Sequence, residues 1–231
     1  MIYSGVDEVG YGALAGRMLA VAVSLPINLP RKRLTEFWPM SSVKDSKKTT
    51  APQRERLRTD LTGFLIEQGA GVGVGEADAE FINFHGYSAA RNKVLLDAAL
   101  NATLGDGFAD ACLIVDGNVA LEGFPFEQIL EPKADGRFFV VAAASCLAKI
   151  LRDDMMIELA VRYPEYGFDV NKGYGTPAHI KALLDFGLTP EHRKIPCRTA
   201  LRKQGQTARP AFGRTRAQER KRQLRSMLVT K

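Results

Sequence analysis

The chain has 231 residues, 45% of them hydrophobic and 25% charged, which excludes a disordered chain, and no apolar run approaches the roughly 18 residues of a membrane-spanning helix. Its net charge is +6, and its three cysteines are odd in number and widely spaced, which favours free thiols over disulfides or a zinc site. Because no secretory signal precedes the first apolar segment, we expect a cytoplasmic protein with one substantial core.

Strand patterns dominate the N-terminal part of the chain. Residues 1–9 ("MIYSGVDEV") and 17–26 ("RMLAVAVSLP") predict two buried strands that form a hairpin. Residues 49–68 predict a helix that begins at a Thr or Ser cap with a proline near its first turn. The glycine-rich residues 69–77 predict a third strand, one that packs tightly against its neighbours.

Helix patterns dominate the rest of the chain. Residues 77–100 predict helix with a break or junction at Gly86, and residues 111–118 predict an apolar strand that ends at a turn. Residues 140–163 are apolar on almost every face, which predicts a long buried helix. Residues 177–187 predict a short helix that begins near a proline. This order predicts an α/β fold in which helices flank a mixed central sheet.

Positive charge is concentrated at the C-terminal end. Residues 201–231 hold ten Lys or Arg and one acid, whereas residues 1–200 hold 22 Lys or Arg against 25 acids. This basic tail is either a solvated, partly disordered end or a phosphate-binding segment, in which residues 214–229 form a helix on a polyanion. We therefore divide the chain into one domain over residues 1–200, with a helical C-terminal part, and a basic tail over residues 201–231.

Carboxylates occur in segments that are otherwise apolar. Asp7 and Glu8 end the first strand, Asp116 ends "CLIVD", and Asp153 or Asp154 lies in the long helix. Singly, each acid is more often a turn or cap residue, but a buried carboxylate must be paired, protonated or bound to metal. Divalent cations remove the repulsion among several acids, and oxygen ligands favour Mg²⁺ or Mn²⁺ over zinc. Two such ions are typical of enzymes that hydrolyse phosphodiesters.

Five motifs, in a consistent order, resemble those of the ribonuclease HII family, the type 2 ribonucleases H. They are "GVDEVGYGALAG" (5–16), "KDSKK" (44–48), "IVDGN" (114–118), "AAASCLAKILRDDMM" (142–156) and "NKGYGT" (171–176). The resemblance covers roughly residues 2–194. It implies an RNase H-like fold, dependence on Mg²⁺ or Mn²⁺, and cleavage of the RNA strand in RNA–DNA hybrids. It also implies incision at single ribonucleotides in duplex DNA, leaving a 5′-phosphate and a 3′-hydroxyl.

The resemblance assigns the four catalytic, metal-binding acids to Asp7, Glu8, Asp116 and Asp153. Asp7 would bridge or share the metals, and Asp116 and Asp153 would complete the coordination. Glu8 would lie nearest the ribose, as a ligand or as a contact of the 2′-hydroxyl. Asp153 is preferred to Asp154 because of the family's Arg-Asp pair, a choice that helical spacing leaves open.

Seven further residues are expected to contact the nucleic acid: Gly10, Tyr11, Gly12, Lys47, Lys48, Lys172 and Tyr174. Glycines allow a backbone to approach the 2′-hydroxyl that distinguishes RNA from DNA. The family has Arg where this chain has Tyr11, so a loop that acts through main-chain groups would tolerate the change and one that needs the Arg side chain would not. Tyr174 resembles the family tyrosine beside the sugar past the ribonucleotide, and the lysines would bind phosphates.

The sequence departs from the family's motifs in two places, and two other functions are considered. "KADGRFF" (133–139) keeps the family's Lys-Gly-Asp stretch loosely, with Asp135 as its remnant, and "EHRKIPCRTA" (191–200) keeps only His192 and Arg193. The alternatives to the leading hypothesis are a preference for ribonucleotide runs, as in ribonuclease HIII, and a non-catalytic hybrid-binding protein. We expect a monomer whose partner is the nucleic acid.

Overall fold

A mixed five-stranded sheet forms the centre of the fold. The computed structural model describes residues 2–26, 51–104 and 111–203, so Lys47, Lys48 and nearly all of the basic tail lie outside the described residues. The strands are β1 (Ile2–Val9), β2 (Met18–Pro26), β3 (Gly71–Ala77), β4 (Ala111–Asp116) and β5 (Glu127–Glu131). Their order is β3-β2-β1-β4-β5, with β1 antiparallel to β2 and parallel to β4. The predicted α/β fold with a mixed sheet is confirmed.

Helices cover both faces of this sheet. They are α1 (Ala51–Glu67), α2 (Ala79–Leu104), α3 (Phe139–Arg162), α4 (Phe168–Asn171), α5 (Pro177–Phe186) and α6 (Lys194–Lys203). Gly86 interrupts α2 with φ 84° and ψ 174°, so the predicted break is confirmed. Strand β5 and helix α6 were not predicted from the sequence. In the described part of the chain, no helix combines the length and apolar character that crossing a bilayer requires.

The alternation of side chains along β1 and β2 divides the core into two layers. Leu19, Val21 and Val23 of β2 point to the layer that α1 and α3 cover. Val6 of β1 and Ala20 of β2 point to the opposite layer, which α2 covers. Because side chains alternate with a period of two, neighbouring residues of one strand meet different helices.

Glycines let the two longest helices lie directly on the strands. A Cβ atom at Gly5 of β1 would lie 2.5 Å from the backbone nitrogen of Val141, in the first turns of α3. Gly73 and Gly75 of β3 leave the corresponding space to the backbone of α2. The predicted tight packing of the third strand is confirmed. The Gly5 contact brings α3 close to the end of β1 where Asp7 and Glu8 lie.

A third cluster of buried side chains joins the end of α3 to the helices that follow it. Its members include Leu14, Met156, Phe168, Leu183 and Cys197. The segment between β1 and β2 contributes to this cluster, so the packing of the C-terminal helices determines where that segment lies.

Two histidines form a buried hydrogen-bonded pair in this cluster. The Nε2 atoms of His179 and His192 are 3.1 Å apart, and both side chains are inaccessible to solvent. The Thr189 N–H donates to His192 Nδ1 at 2.9 Å, so His192 must carry its proton on Nε2 and donate to His179. His179 Nδ1 donates in turn to the carbonyl of Tyr174 at 2.9 Å. Burial lowers the pKa of both histidines, that of His192 to about 3 with a further contribution from His179.

We predict that replacing Gly5 with alanine destabilises the protein. The added methyl group has no room beside Val141, and forcing an atom into a packed core costs about 1–3 kcal/mol. Gly63→Ala is the matched control, because no atom lies within 4 Å of the added Cβ and alanine favours helix α1. Urea unfolding of both variants measures the difference. Equal stabilities for the two variants would contradict the close packing of α3 on β1.

We predict that the contribution of the histidine pair to the free energy of unfolding becomes unfavourable as the pH falls from 7 to 5, opposite in sign to the contribution of Asp7. A histidine titrates near pH 6.5 in the unfolded chain and far lower when folded, so the unfolded state binds the extra proton in this interval. His192→Asn should reduce the loss of unfolding free energy over this interval by about 2 kcal/mol. His85→Asn, at an exposed position on α2, is the control and should leave the pH dependence unchanged.

Candidate active site

Asp7 and Asp116 lie at the carboxyl ends of two neighbouring strands of the sheet. Strands β1 and β4 are parallel neighbours, and Val6 pairs with Val115, one residue before each acid. Because parallel strands end at the same edge, the two carboxylates follow their strands to a common place. The register of β1 and β4 therefore places the backbones of Asp7 and Asp116 close together.

Asp7 lies between the sheet and α3. Its side chain accepts a hydrogen bond from the Ser145 hydroxyl, and its Oδ1 accepts from the Glu8 N–H at 2.8 Å. Burial, with a further contribution from the negative charges of Glu8 and Asp116, raises the pKa of Asp7 to about 7, although the hydrogen bonds from Ser145 and the Glu8 N–H oppose the rise. The three acids therefore share one electrostatic environment, in which adding a negative charge is unfavourable.

Glu8 faces the other layer of the fold, as strand alternation requires. Its Oε2 lies 3.3 Å from Nη2 of Arg91 on α2, and both side chains are 19% exposed. Arg91 Nη2 also donates to the backbone carbonyl of Asp116 at 3.3 Å. Glu8 Oε2 is buried and accepts no hydrogen bond from the described part of the chain. A buried oxygen with charge compensation but no donor is a suitable ligand for a cation.

The Asp116 carboxylate is oriented by the turn that precedes α3. Its Oδ1 accepts a hydrogen bond at 3.0 Å from the N–H of Ala134, in the short 3₁₀ helix Ala134–Gly136. Asp135 is the next residue, so its Cα lies about 3.8 Å from that of Ala134. The resemblance drew attention to Asp135 only as a remnant of the family's Lys-Gly-Asp stretch. The contact of its neighbour Ala134 with Asp116 is a tertiary one that no helix or strand pattern indicates.

Asp153 is engaged differently from the three strand acids. Ser145, Lys149 and Asp153 follow one another at intervals of four along α3, so they share a face of the helix. The Lys149 ammonium forms an ion pair with Asp153, four residues further along the helix, and the Asp153 side chain is almost fully buried. Asp153 lies about 12 Å further along the helix axis than Ser145, which contacts Asp7.

Asp154, the residue left as an alternative, forms an ion pair with Arg58 of α1. Among the residues that the structure describes, no three side chains of His, Cys, Asp or Glu form a ready-made metal cluster. The assignment of Asp7, Glu8, Asp116 and Asp153 as a ligand set stays a prediction.

A glycine-containing loop, residues 10–17, connects β1 to β2 beside these acids. Gly10 has φ 83°, and a Cβ atom there would overlap the side chain of Arg152 on α3. The buried Arg152 guanidinium donates to three carbonyls, those of Ala15, Arg17 and Lys172, at 2.9–3.3 Å. Burial lowers the pKa of Arg152 to about 10. Arg152 thus joins the loop to the segment that contains Lys172.

Arg193, which is also fully buried, holds the other side of the same loop. It donates to the carbonyls of Gly10, Tyr11 and Gly16 at 2.6–3.1 Å. Because the peptide group is planar and trans, the N–H groups of Tyr11 and Gly12 point away from this guanidinium. The family resemblance matched Arg193, but its role in orienting the loop was not predicted.

The outward side of the loop is open. A Cβ atom at Gly12 would have no neighbour within 4 Å, so packing within the described chain does not require glycine there. Tyr11 is 46% exposed, and its ring meets that of Tyr87 edge-on at 5.4 Å. Tyr174 is 38% exposed, and its ring lies 5.3 Å from the Arg152 guanidinium. Arg152 thus contacts both the loop and the Tyr174 ring, and the two tyrosines are partly exposed.

Comparison with known proteins gives a consistent family. The family model described as Ribonuclease HII matches residues 4–200. A ribonuclease HII of Roseobacter denitrificans is 35% identical over 192 residues, which cover 83% of this chain and 87% of that protein.

Solved structures of related enzymes share the fold. The RNase HII of a PCNA:RNase HII complex from Archaeoglobus fulgidus has a TM-score of 0.63 at 22% identity, over 84% of this chain and 94% of its own. Bst-RNase HIII, solved in complex with Mn²⁺, has a TM-score of 0.59 at 18% identity, over 88% of this chain and 70% of its own. With this fold, and with a family match over most of its length, the chain belongs to the ribonuclease HII family and is a type 2 ribonuclease H.

Proposed function

We propose that the protein is a metal-dependent endoribonuclease that hydrolyses the RNA strand of RNA–DNA hybrids and incises duplex DNA at single ribonucleotides. The observation that carries this proposal is the electrostatic coupling of Asp7 to Glu8 and Asp116 at the carboxyl ends of two adjacent strands. Such an arrangement is unfavourable for folding by itself, so it is expected where a bound cation offsets the repulsion.

The oxygen donors of this site fit Mg²⁺ or Mn²⁺. Glu8 Oε2 is a buried oxygen without a hydrogen-bond donor, and carboxylates are the ligands that these hard cations prefer. Asp7, Glu8, Asp116 and a fourth acid would hold the ions. When bound, the ions would activate the attacking water and stabilise the leaving 3′-oxygen. Asp7 would lose its proton on binding, and Ser145 would keep its carboxylate oriented.

We propose Asp135, in place of Asp153, as the fourth acid. Asp135 follows the residue whose N–H contacts the Asp116 carboxylate, which supports a position beside the strand acids. Asp153 is already neutralised by Lys149 and lies further along α3. Breaking a buried ion pair costs several kcal/mol, which opposes a move of Asp153 toward a metal.

The loop of residues 10–17 supports recognition of a ribose. Its N–H groups at Tyr11 and Gly12 point away from Arg193, and the missing side chain at Gly12 leaves space for a sugar. A 2′-hydroxyl accepts from such donors, whereas deoxyribose has no group to do so. Tyr174 and Lys172 would contact the adjoining sugar and phosphate, and the main-chain loop would tolerate Tyr11 in place of arginine.

A preference for ribonucleotide runs, as in ribonuclease HIII, is the second candidate function. Tyr11 favours it, since the exposed ring packs on Tyr87 and supplies no cation for a phosphate at this position.

We predict that Asp135→Asn lowers kcat by about a hundredfold or more, because one carboxylate of the charge-stabilising set is lost. Asp153→Asn should retain kcat within about threefold, and Asp7→Asn serves as the inactive reference. Asp154→Asn is the matched control on α3. Single-turnover cleavage of a hybrid, with circular dichroism to verify folding, measures the effect. Loss of activity in folded Asp153→Asn alone would restore Asp153 as the fourth acid.

We predict that duplexes with one and with four ribonucleotides are both cut efficiently in Mg²⁺ or Mn²⁺ and not in EDTA. Tyr11→Ala should alter kcat/KM for the single-ribonucleotide duplex by less than about tenfold, because the loop acts through main-chain groups. Val119→Ala, at an exposed position outside the loop, is the control. Efficient cleavage of only the four-ribonucleotide duplex would support the second candidate function.

A further inference from the structure

Arg91 places a positive charge directly against the acidic site. It lies on α2 after the break at Gly86, and its Nη2 atom is 3.3 Å from both Glu8 Oε2 and the Asp116 carbonyl. In the part of the chain that the structure describes, it is the basic side chain within ion-pair distance of Glu8. The proposed function does not use this residue.

Arg91 and Glu8 form an ion pair whose geometry does not meet that of a hydrogen bond. Although Nη2 is near Glu8 Oε2, the oxygen accepts no hydrogen bond within the described chain. Arg91 therefore compensates the charge of Glu8 and leaves the lone pairs of this oxygen for a better partner. Its hydrogen bond to the Asp116 carbonyl holds the guanidinium at the site independently of Glu8.

A divalent ion and this guanidinium would compete for the same oxygen. Both side chains of the pair are 19% exposed, so solvent screens their charges less than at an open surface. An ion bound to Glu8 Oε2 would lie within a few ångströms of Arg91, where two positive charges repel each other. The charge of the guanidinium therefore opposes binding of the ion as long as Arg91 stays at this distance from Glu8.

We propose that Arg91 is a built-in competitor for the metal at Glu8, which it neutralises in the metal-free protein and thereby lowers the affinity for the divalent ion. This inference rests on the proposed metal site. Arg91 acts here as a positioning residue for Glu8 and is not itself a ligand. Its anchor on the Asp116 carbonyl gives the displaced guanidinium a second partner.

The experiment measures Mn²⁺ binding to the full chain by calorimetry and by the electron paramagnetic resonance of free Mn²⁺, without substrate. Arg91→Gln should lower the Kd for Mn²⁺ about fivefold, because the ion no longer displaces a positive charge. Arg91→Lys, which keeps the charge, should bind within about twofold of wild type. Lys93→Gln is the control, since it removes a charge from the same helix where Lys93 pairs with Asp97.

Thermal unfolding adds a readout that does not depend on catalysis. Arg91→Gln should lower the melting temperature more in EDTA than in saturating Mn²⁺, because the bound ion replaces the lost charge at Glu8. A variant with a general folding defect would lose the same amount in both conditions, which would contradict the proposal. Arg91→Met provides a second neutral variant if the glutamine variant does not fold.

The outcomes separate this inference from the function on which it rests. Unchanged or weaker Mn²⁺ binding in Arg91→Gln, with normal binding by wild type and none by Asp7→Asn, would overturn the role of Arg91 and leave the metal site intact. If wild-type protein bound no Mn²⁺, or Asp7→Asn bound it as well as wild type, the metal site itself would be wrong and this inference would fall with it.

Discussion

The buried carboxylate of Asp7 is the constraint around which the rest of the structure is arranged. Burial opposes its ionisation, and the neighbouring charges of Glu8 and Asp116 add to the opposition, so its pKa rises to about 7. On one face of the sheet the Ser145 hydroxyl of α3 donates to the Asp7 carboxylate, and on the other face the Arg91 guanidinium of α2 compensates the charge of the neighbouring Glu8. Both supports depend on helices that lie directly on the strands, which glycines at the contact points allow.

Two buried arginines hold the loop of residues 10–17 in place. Arg152 and Arg193 are buried guanidinium groups that donate mainly to backbone carbonyls of the loop and of the segment after α4. Burying these charges is unfavourable, as the lowered pKa of Arg152 indicates, and many hydrogen bonds are needed to offset it. These hydrogen bonds hold the loop carbonyls on the inward side, and the N–H groups of Tyr11 and Gly12 point outward.

The buried pair of His179 and His192 is also joined to the loop and to Tyr174 by hydrogen bonds. His179 contacts the carbonyl of Tyr174, and the isolated bridge between Ala15 and His192 joins the loop to the C-terminal helices. Residues separated by more than 170 positions in the chain thus determine the shape of one short loop. Local sequence patterns do not indicate such contacts, since the partners lie in elements that are distant in the sequence.

The amino-acid sequence alone determined much of this protein: the strands of β1 to β4, the break at Gly86, the family, and the presence of acids in apolar segments. These features follow from periodicity, glycine placement and motif order, which are local properties. Strand β5 was not predicted because its residues show little apolar alternation. Helix α6 was not predicted because residues 191–200 were compared only with the end of a family motif. Only the tertiary structure decided that Asp154 pairs with Arg58, that Asp135 follows a contact of Asp116, and that Arg91 meets Glu8. The physical reason is that charge compensation depends on distances between residues far apart in the chain, which the fold sets and no spacing along the sequence reveals.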